Sequence, residues 1–227
     1  MRLMKLTGAC LVALGLVGPV SSAMAYEAGD WLVRGRIINV NPNDDSGNLY
    51  VGTGTSVSLG EGVTVTEDTV PEIDFTYMIS PHWGVELILG YSEHDVGTRG
   101  LPAAIGLGRV IETKVLPPTL TLQYHFLPNG SIRPYVGAGI NYTYFFDEEV
   151  QGPLDIPGAK IKLASSWGLA AQAGVDIAID DDWFVNLDIK YIDIDTKARF
   201  SGTSVGSANI NTQIDPVVYG IGIGRRF

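Results

Sequence analysis

The chain has almost no cysteine. Cys10 is the only one in 227 residues, and it lies near the N-terminus. Residues 26–227 therefore carry no disulfide, no thiol nucleophile and no thiolate metal site. Histidine is nearly as scarce. His82, His94 and His125 fall in a tight turn, a long loop and a strand end. That spacing does not suit a metal, so no metal and no cofactor is expected. Positive charge is also short. Fifteen Lys and Arg, two of them Arg2 and Lys5, stand against twenty-five Asp and Glu. So acidic a chain is a poor nucleic-acid binder. The glycines from Gly52 to Gly62 alternate with Thr, Ser and Val in a loop, which is no phosphate cradle. Beyond residue 25, no segment reaches the roughly 18 apolar residues of a membrane helix.

An apolar run does exist at the N-terminus. Arg2 and Lys5 precede Leu11–Val20, and Ala23-Met24-Ala25 is an A-x-A cleavage signal. Residues 1–25 read as a secretory signal peptide. Gly18-Pro19 interrupts the run, which is too short for an anchor. In Gly8-Ala9-Cys10 the apolar run follows the cysteine, unlike a lipoprotein signal. Residues 26–227 suffice for one all-β domain. Export without a membrane helix leaves a soluble periplasmic protein, a secreted one, or an outer-membrane barrel.

Eight period-two segments are separated by turn residues: Asp30–Val40, Val70–Ile79, Trp83–Ser92, Val115–Phe126, Arg133–Asp147, Ser165–Ile179, Trp183–Ile194 and Pro216–Phe227. The connections alternate. Ser80-Pro81-His82, Leu127-Pro128-Asn129-Gly130 and Asp180-Asp181-Asp182 are tight. Residues 41–69, 93–114, 148–164 and 195–215 read as long loops. Short turns at one rim and long loops at the other fit an eight-stranded antiparallel transmembrane β-barrel. A lipocalin also closes eight strands, but it places its apolar side chains inward.

The faces decide between them. Trp83, Val85, Leu87, Leu89 and Tyr91 share one face. So do Trp183, Val185, Leu187, Ile189 and Tyr191. Each Trp–Tyr pair is eight residues apart, about 26 Å of strand and about 20 Å of height once tilted. That is the separation of two aromatic girdles across a thin hydrocarbon layer. Trp31, Phe126 and Phe227 join Trp83 and Trp183 at the turn rim. Tyr142, Tyr144 and Trp167 join Tyr91 and Tyr191 at the loop rim. The opposite face then fills the lumen. It carries Arg34, Arg36, Arg133, Lys190 and Arg226 against Glu72, Asp74, Glu86, Asp176 and Asp188. An eight-stranded lumen is only just wide enough for side chains to fill, and buried charges must be paired. These residues read as a structural plug first and a transport route second.

Leu116-Pro117-Pro118-Thr119-Leu120, Arg133–Asp147, Ser166-Trp167-Gly168, Asp182–Asn186, Tyr191–Thr196, Asp215-Pro216 and the terminal Arg226-Phe227 resemble motifs of the outer membrane protein W family, with its AlkL-like barrels. Gly84–Leu87 and Phe75–Met78 carry the resemblance into the first half. It implies a Gram-negative outer-membrane barrel with an apolar channel near its outer end, for passive uptake of small hydrophobic molecules. No enzymatic activity is implied, and no Ser, His and acid group come together at one depth of the outer face. Partners are then outer-membrane lipids and lipopolysaccharide, small hydrophobic solutes, and the barrel-assembly machinery that reads a terminal aromatic such as Phe227. The loop residues Leu101, Ile105, Leu107, Leu154 and Ile156, with Leu116, read either as an apolar funnel or as ordinary loop packing. Pro117, Pro118 and Pro216 donate no ladder hydrogen bond. They mark either a lateral opening in the wall or simply where pairing begins. The alternative function is a closed structural barrel whose loops act as a receptor or stabilise the envelope.

Overall fold

A computed structural model describes residues 25–227, except 44, 47, 52–56, 62, 99, 101–105, 107 and 204–205. Of residues 45–46, 48–51, 57–61, 206 and 208 only the backbone is described. The leader before Ala25, and the loop residues Leu101, Ile105 and Leu107, lie outside the described residues.

Alternation dictates strands almost throughout. They are β1 (Trp31–Asn41), β2 (Asp45–Ser46), β3 (Asn48–Val51), β4 (Val57–Glu61), β5 (Val63–Val65) and β6 (Asp68–Met78). Next come β7 (Trp83–Gly90), β8 (Ser92–Thr98), β9 (Arg109–Leu116), β10 (Thr119–His125) and β11 (Ile132–Val150). After a short 3-10 turn at Gly152–Leu154 follow β12 (Lys160–Leu163), β13 (Ser166–Ala178), β14 (Trp183–Ile192), β15 (Asp195–Thr203), β16 (Gly206–Gln213) and β17 (Val217–Arg226).

Eight of them close a ring, β1-β6-β7-β10-β11-β13-β14-β17, whose last strand pairs back onto β1. Every neighbour is antiparallel. In hydrocarbon each backbone polar group must be satisfied within the protein, and only a closed ring leaves no edge. The ends meet too: Trp31 N–H donates to the Phe227 carbonyl at 3.0 Å, and Phe227 N–H to the Trp31 carbonyl at 2.8 Å. Two tight turns repeat one design, with Ile79 N–H donating to Trp83 O and Ile179 N–H to Trp183 O, both at 2.8 Å.

The four long connections are not loops throughout. β8, β9, β12, β15 and β16 prolong the ring strands outward. β8–β9–β11 forms one flap of the rim, and β12–β15–β16–β3–β4 the other. His94 accordingly sits on strand β8, not in a loop.

The extensions keep the alternation of the strands beneath them but invert its polarity. On β14 the outward side chains are Trp183, Val185, Leu187, Ile189 and Tyr191, and the inward ones include Asn186, Asp188 and Lys190. Past Tyr191 the outward positions are Asp195, Lys197 and Arg199, while Ile192, Ile194, Ala198 and Phe200 are buried inside. Hydrocarbon lies outside below that level and water above it, so apolar side chains change sides. Trp167 and Tyr191 stand exposed at the change, as do Tyr91 and Tyr144. Tyr142 packs on Trp167 with ring centroids 4.7 Å apart. Trp31, Trp83, Trp183, Phe126 and Phe227 ring the opposite rim, all exposed.

Leu187 lies midway between its girdle residues, so Leu187→Arg puts a cation near the bilayer midplane. It should destabilise the barrel by about 2–4 kcal/mol. Asp195→Lys, beyond the inversion, should stay within about 0.5 kcal/mol. Urea unfolding in lipid vesicles measures both. At the periplasmic turn, backbone N–H groups of Trp183 and Asp182 donate to Asp180 and hold its carboxyl below the ordinary 3.8. A depressed folded value means that this stabilisation is complete above 3.8 and fades as pH falls through the lower folded value. A carboxyl NMR titration showing Asp180 at or above 3.8 would contradict it.

Candidate functional site

Inside the ring the lumen has two storeys. The lower is built on β1, where Arg34 and Arg36 both point inward and are buried. Arg34 grips Asp176 with two bonds, Nη2 to Oδ2 at 2.8 Å and Nε to Oδ1 at 3.2 Å. Its Nη1 reaches Thr76 Oγ1 at 2.7 Å and Asp74 at 3.1 Å. Arg36 lies 2.8 Å from Glu72 and 2.6 Å from Asp74. Lys190 spans Glu72 at 2.7 Å and Asp188 at 3.1 Å. Glu86 faces both arginines, at 3.5 and 3.7 Å.

Neutral donors complete the web, and a tally of charges does not find them. Tyr26 and Asn186 donate to Asp176 at 2.9 and 2.8 Å. Tyr135 donates to Asp188 at 2.8 Å. Gln172 and Thr121 donate to Glu86 at 2.6 and 3.0 Å. Tyr135, Gln172, Thr121 and Asn186 have the inward parity of their strands, and that was the available signal. Tyr26 precedes every strand. It folds under the barrel, edge-on to His125 at 5.4 Å, with Arg133 stacked over its ring at 4.3 Å. Arg226 caps the base, donating to the Ala25 carbonyl at 2.7 Å beside Asp30 at 3.7 Å.

Above Glu72 the character changes. The inward side chains of the extensions surround a chamber of about 1360 Å³, open solvent included. Val96, Val115, Phe145, Ile194 and Phe200 typify its wall, and Glu72 lies at its floor. Polar groups in the wall are Ser92 and His94, with Thr98, Thr113, Thr119, Thr196 and Thr212. Leu154 reaches the chamber from the 3-10 turn. Two other residues read as funnel do not line it. Leu116 faces outward, opposite Tyr144 across the β9–β11 ladder, and Ile156 is exposed beside the turn. Leu116 stands one residue from the inward Val115, so alternation turns it out.

The three prolines differ. The β7–β10 ladder ends at Ile88↔Thr119, and the β8–β9 ladder begins at Ser92↔Val115. Leu89, Gly90 and Tyr91 therefore face Leu116, Pro117 and Pro118 without a rung. Gly90, Tyr91 and Pro117 all border the chamber. On the other side of the prolines the wall is stitched. Tyr142 N–H donates to the Pro118 carbonyl at 3.1 Å, and Asn141 Nδ2 donates to the Pro117 carbonyl at 3.1 Å. Pro216 lines the chamber but sits in a closed wall. Ile192 N–H donates to its carbonyl at 3.2 Å, and Asn43 N–H to the Ile214 carbonyl at 2.9 Å. The ladders lapse at residues 214–216, but these hydrogen bonds bridge the gap on both sides, so Pro216 leaves the wall bridged.

Removing one partner of a buried ion pair strands the others. Arg34→Ala leaves Asp74, Asp176 and Glu86 facing each other and should cost about 3–5 kcal/mol of stability. Arg225→Ala, on the exposed face near Asp182, should cost less than about 1 kcal/mol. Urea denaturation midpoints in one detergent measure the contrast.

This architecture has close relatives. The OmpW family model matches residues 27–227. Outer membrane protein W of Escherichia coli is 39% identical over 228 residues, covering 98% of this chain and 99% of its own. The dibenzothiophene metabolism operon protein PahQ of Pseudomonas aeruginosa is 30% identical over 204 residues, covering 88% of this chain and 90% of its own. The crystal structure of OprG, an outer membrane protein of Pseudomonas aeruginosa, superposes with a TM-score of 0.81 at 37% identity, covering 91% of this chain and 99% of that one. The aromatic girdles, the filled lower lumen and these matches over nearly the whole length place the chain in the outer membrane, as a member of the OmpW family.

Proposed function

We propose that this barrel is a passive uptake channel for small hydrophobic molecules, which enter the chamber from outside and leave sideways through the wall near Pro117. The observation that carries the reading is a mostly apolar chamber set within the outer extensions and floored by buried charge. An apolar solute gains about 25 cal/mol for each Å² it takes out of water, and the chamber offers that gain. The storey below offers nothing comparable. Passage there means parting ion pairs whose disruption costs several kcal/mol. The hydrocarbon of the bilayer is as apolar as the chamber, and the unpaired seam between Leu89–Tyr91 and Leu116–Pro118 lies at the outer aromatic girdle. A solute leaving there passes from one apolar medium into another. Dibenzothiophene, which PahQ's name ties to that relative, is a solute of this kind.

Uptake of dibenzothiophene by vesicles enclosing a quencher tests both steps. Ala198→Trp, which fills the chamber, should reduce uptake to the protein-free rate. Pro117→Ala with Pro118→Ala restores one donor toward the seam and one toward β11, and should slow uptake while leaving solute bound. Pro216→Ala should change nothing, because its seam is already bridged. Uptake by the Pro117/Pro118 double variant at the unaltered rate overturns the lateral exit. Failure of the unaltered protein to accelerate uptake at all favours the closed structural barrel.

A further inference from the structure

Ser92 and His94 stand two residues apart on β8, with the same inward parity, and both line the chamber. Both are buried. Ser92 Oγ lies 2.8 Å from His94 Nε2, and His94 Nδ1 lies 2.7 Å from the Thr66 carbonyl oxygen.

Proton placement follows from these partners. A carbonyl only accepts, so Nδ1 must carry the hydrogen. Burial pushes the His94 pKa below the usual histidine value, so the ring is neutral at pH 7 and Nε2 is bare. The Ser92 hydroxyl must then donate to Nε2. Its only hydrogen is thereby committed, and the oxygen has two lone pairs and no further hydrogen to offer. The relay Ser92–His94–Thr66 thus presents an acceptor, and no donor, to a cavity wall that is mostly apolar but also carries Thr98, Thr113, Thr119, Thr196 and Thr212.

We propose that Ser92 is a specificity site of the chamber, accepting a hydrogen bond from the hydroxyl of an amphiphilic solute such as a hydrophobic alcohol or phenol. This rests on the chamber being a solute site, as proposed above. A wall acceptor discriminates sharply. A solute with a hydroxyl satisfies Ser92, whereas an ether or ketone of equal size brings lone pairs against lone pairs. A hydrocarbon leaves the acceptor unpaired. Reversing the preference would require a proton on Nε2, which would turn the Ser92 hydroxyl hydrogen outward. The Thr66 carbonyl and the buried site oppose that state.

The test uses the full chain in lipid nanodiscs and three labelled probes of one ring size: 1-naphthol, 1-methoxynaphthalene and naphthalene. Binding is corrected against empty nanodiscs. The unaltered protein should bind 1-naphthol about five to ten times more tightly than 1-methoxynaphthalene. Ser92→Val, which removes the hydroxyl and fills the space over His94 Nε2, should erase that ratio, and Ser92→Thr, which keeps the hydroxyl, should retain it. The ring ¹⁵N resonances of His94 should show a protonated Nδ1 and a bare Nε2. Equal affinities for 1-naphthol and 1-methoxynaphthalene overturn this inference but leave the chamber intact as a solute site. So does a protonated Nε2 at pH 7. Binding of none of the three probes overturns the uptake reading itself. If Ser92→Val loses naphthalene too, the unaltered protein's ratio and the ¹⁵N spectrum still decide.

Discussion

Arg34 and Arg36 lie two residues apart on one strand, and five carboxylates from five other positions converge on them and on Lys190. No charge in such a web can be lost singly, because the low-dielectric lumen leaves its partner uncompensated. The web also governs residues that carry no charge. A Cβ at Gly222 would collide with Arg36 and the β1 backbone, and one at Gly224 would meet Phe184 and Arg34. At Gly137 it would meet Gln172, which donates to Glu86. The small residues that alternate along β11 and β17 are therefore the room in which long polar side chains lie.

With the lower lumen filled, any space for a ligand must come from above, where the strands outrun the bilayer. Polarity then has to invert, and it does so before the register shifts at Phe146/Glu149, Val96/Gly97 and Phe200/Thr203, which lie farther out. On β14 and β15, Asn186, Asp188 and Lys190 share their parity with Ile192, Ile194, Ala198 and Phe200. On β11, Asn141 and Thr143 share theirs with Phe145. One continuous alternation thus faces lipid with apolar side chains in its lower half and lines a chamber with them in its upper half. The ring below supplies the rigidity and the extension supplies the cavity.

That inversion also explains what could and could not be read in the chain. The eight ring strands were legible, because lipid outside and polar lumen inside make a clean period of two, with Trp and Tyr at its ends. The extensions hid behind the same rule. Charged residues such as Asp193, Asp195 and Lys197 signal loops when apolar-outward is the template, although Ile192, Ile194, Ala198 and Phe200 keep strict alternation beneath them. Parity carried from His125 through Thr119 to Val115 puts Leu116 outside, and parity from Glu86 through Gly90 puts Ser92 and His94 inside. Both were available. Tyr26 was not, since it belongs to no strand and its place depends on Asp176 and Arg133 meeting beneath the ring.

The two sides of the Pro117–Pro118 step differ, and the difference has a physical cause. Proline removes donors and keeps its carbonyls. A neighbour that can supply donors repairs the wall, while a neighbour that needs them cannot. On the β11 side, Tyr142 N–H and the Asn141 amide supply donors, and the Thr119 hydroxyl adds one to the Pro117 carbonyl at 2.9 Å. On the β7–β8 side no such side chain reaches over among the described residues, and Gly90 puts no Cβ into the seam. The weakness is thus confined to one edge, level with Tyr91, where headgroup water meets hydrocarbon. Below it an exposed backbone would be untenable in lipid, and above it the opening would lead only back to water. Among the depths available to this wall, that edge is the one at which an unpaired stretch beside the chamber is tolerated.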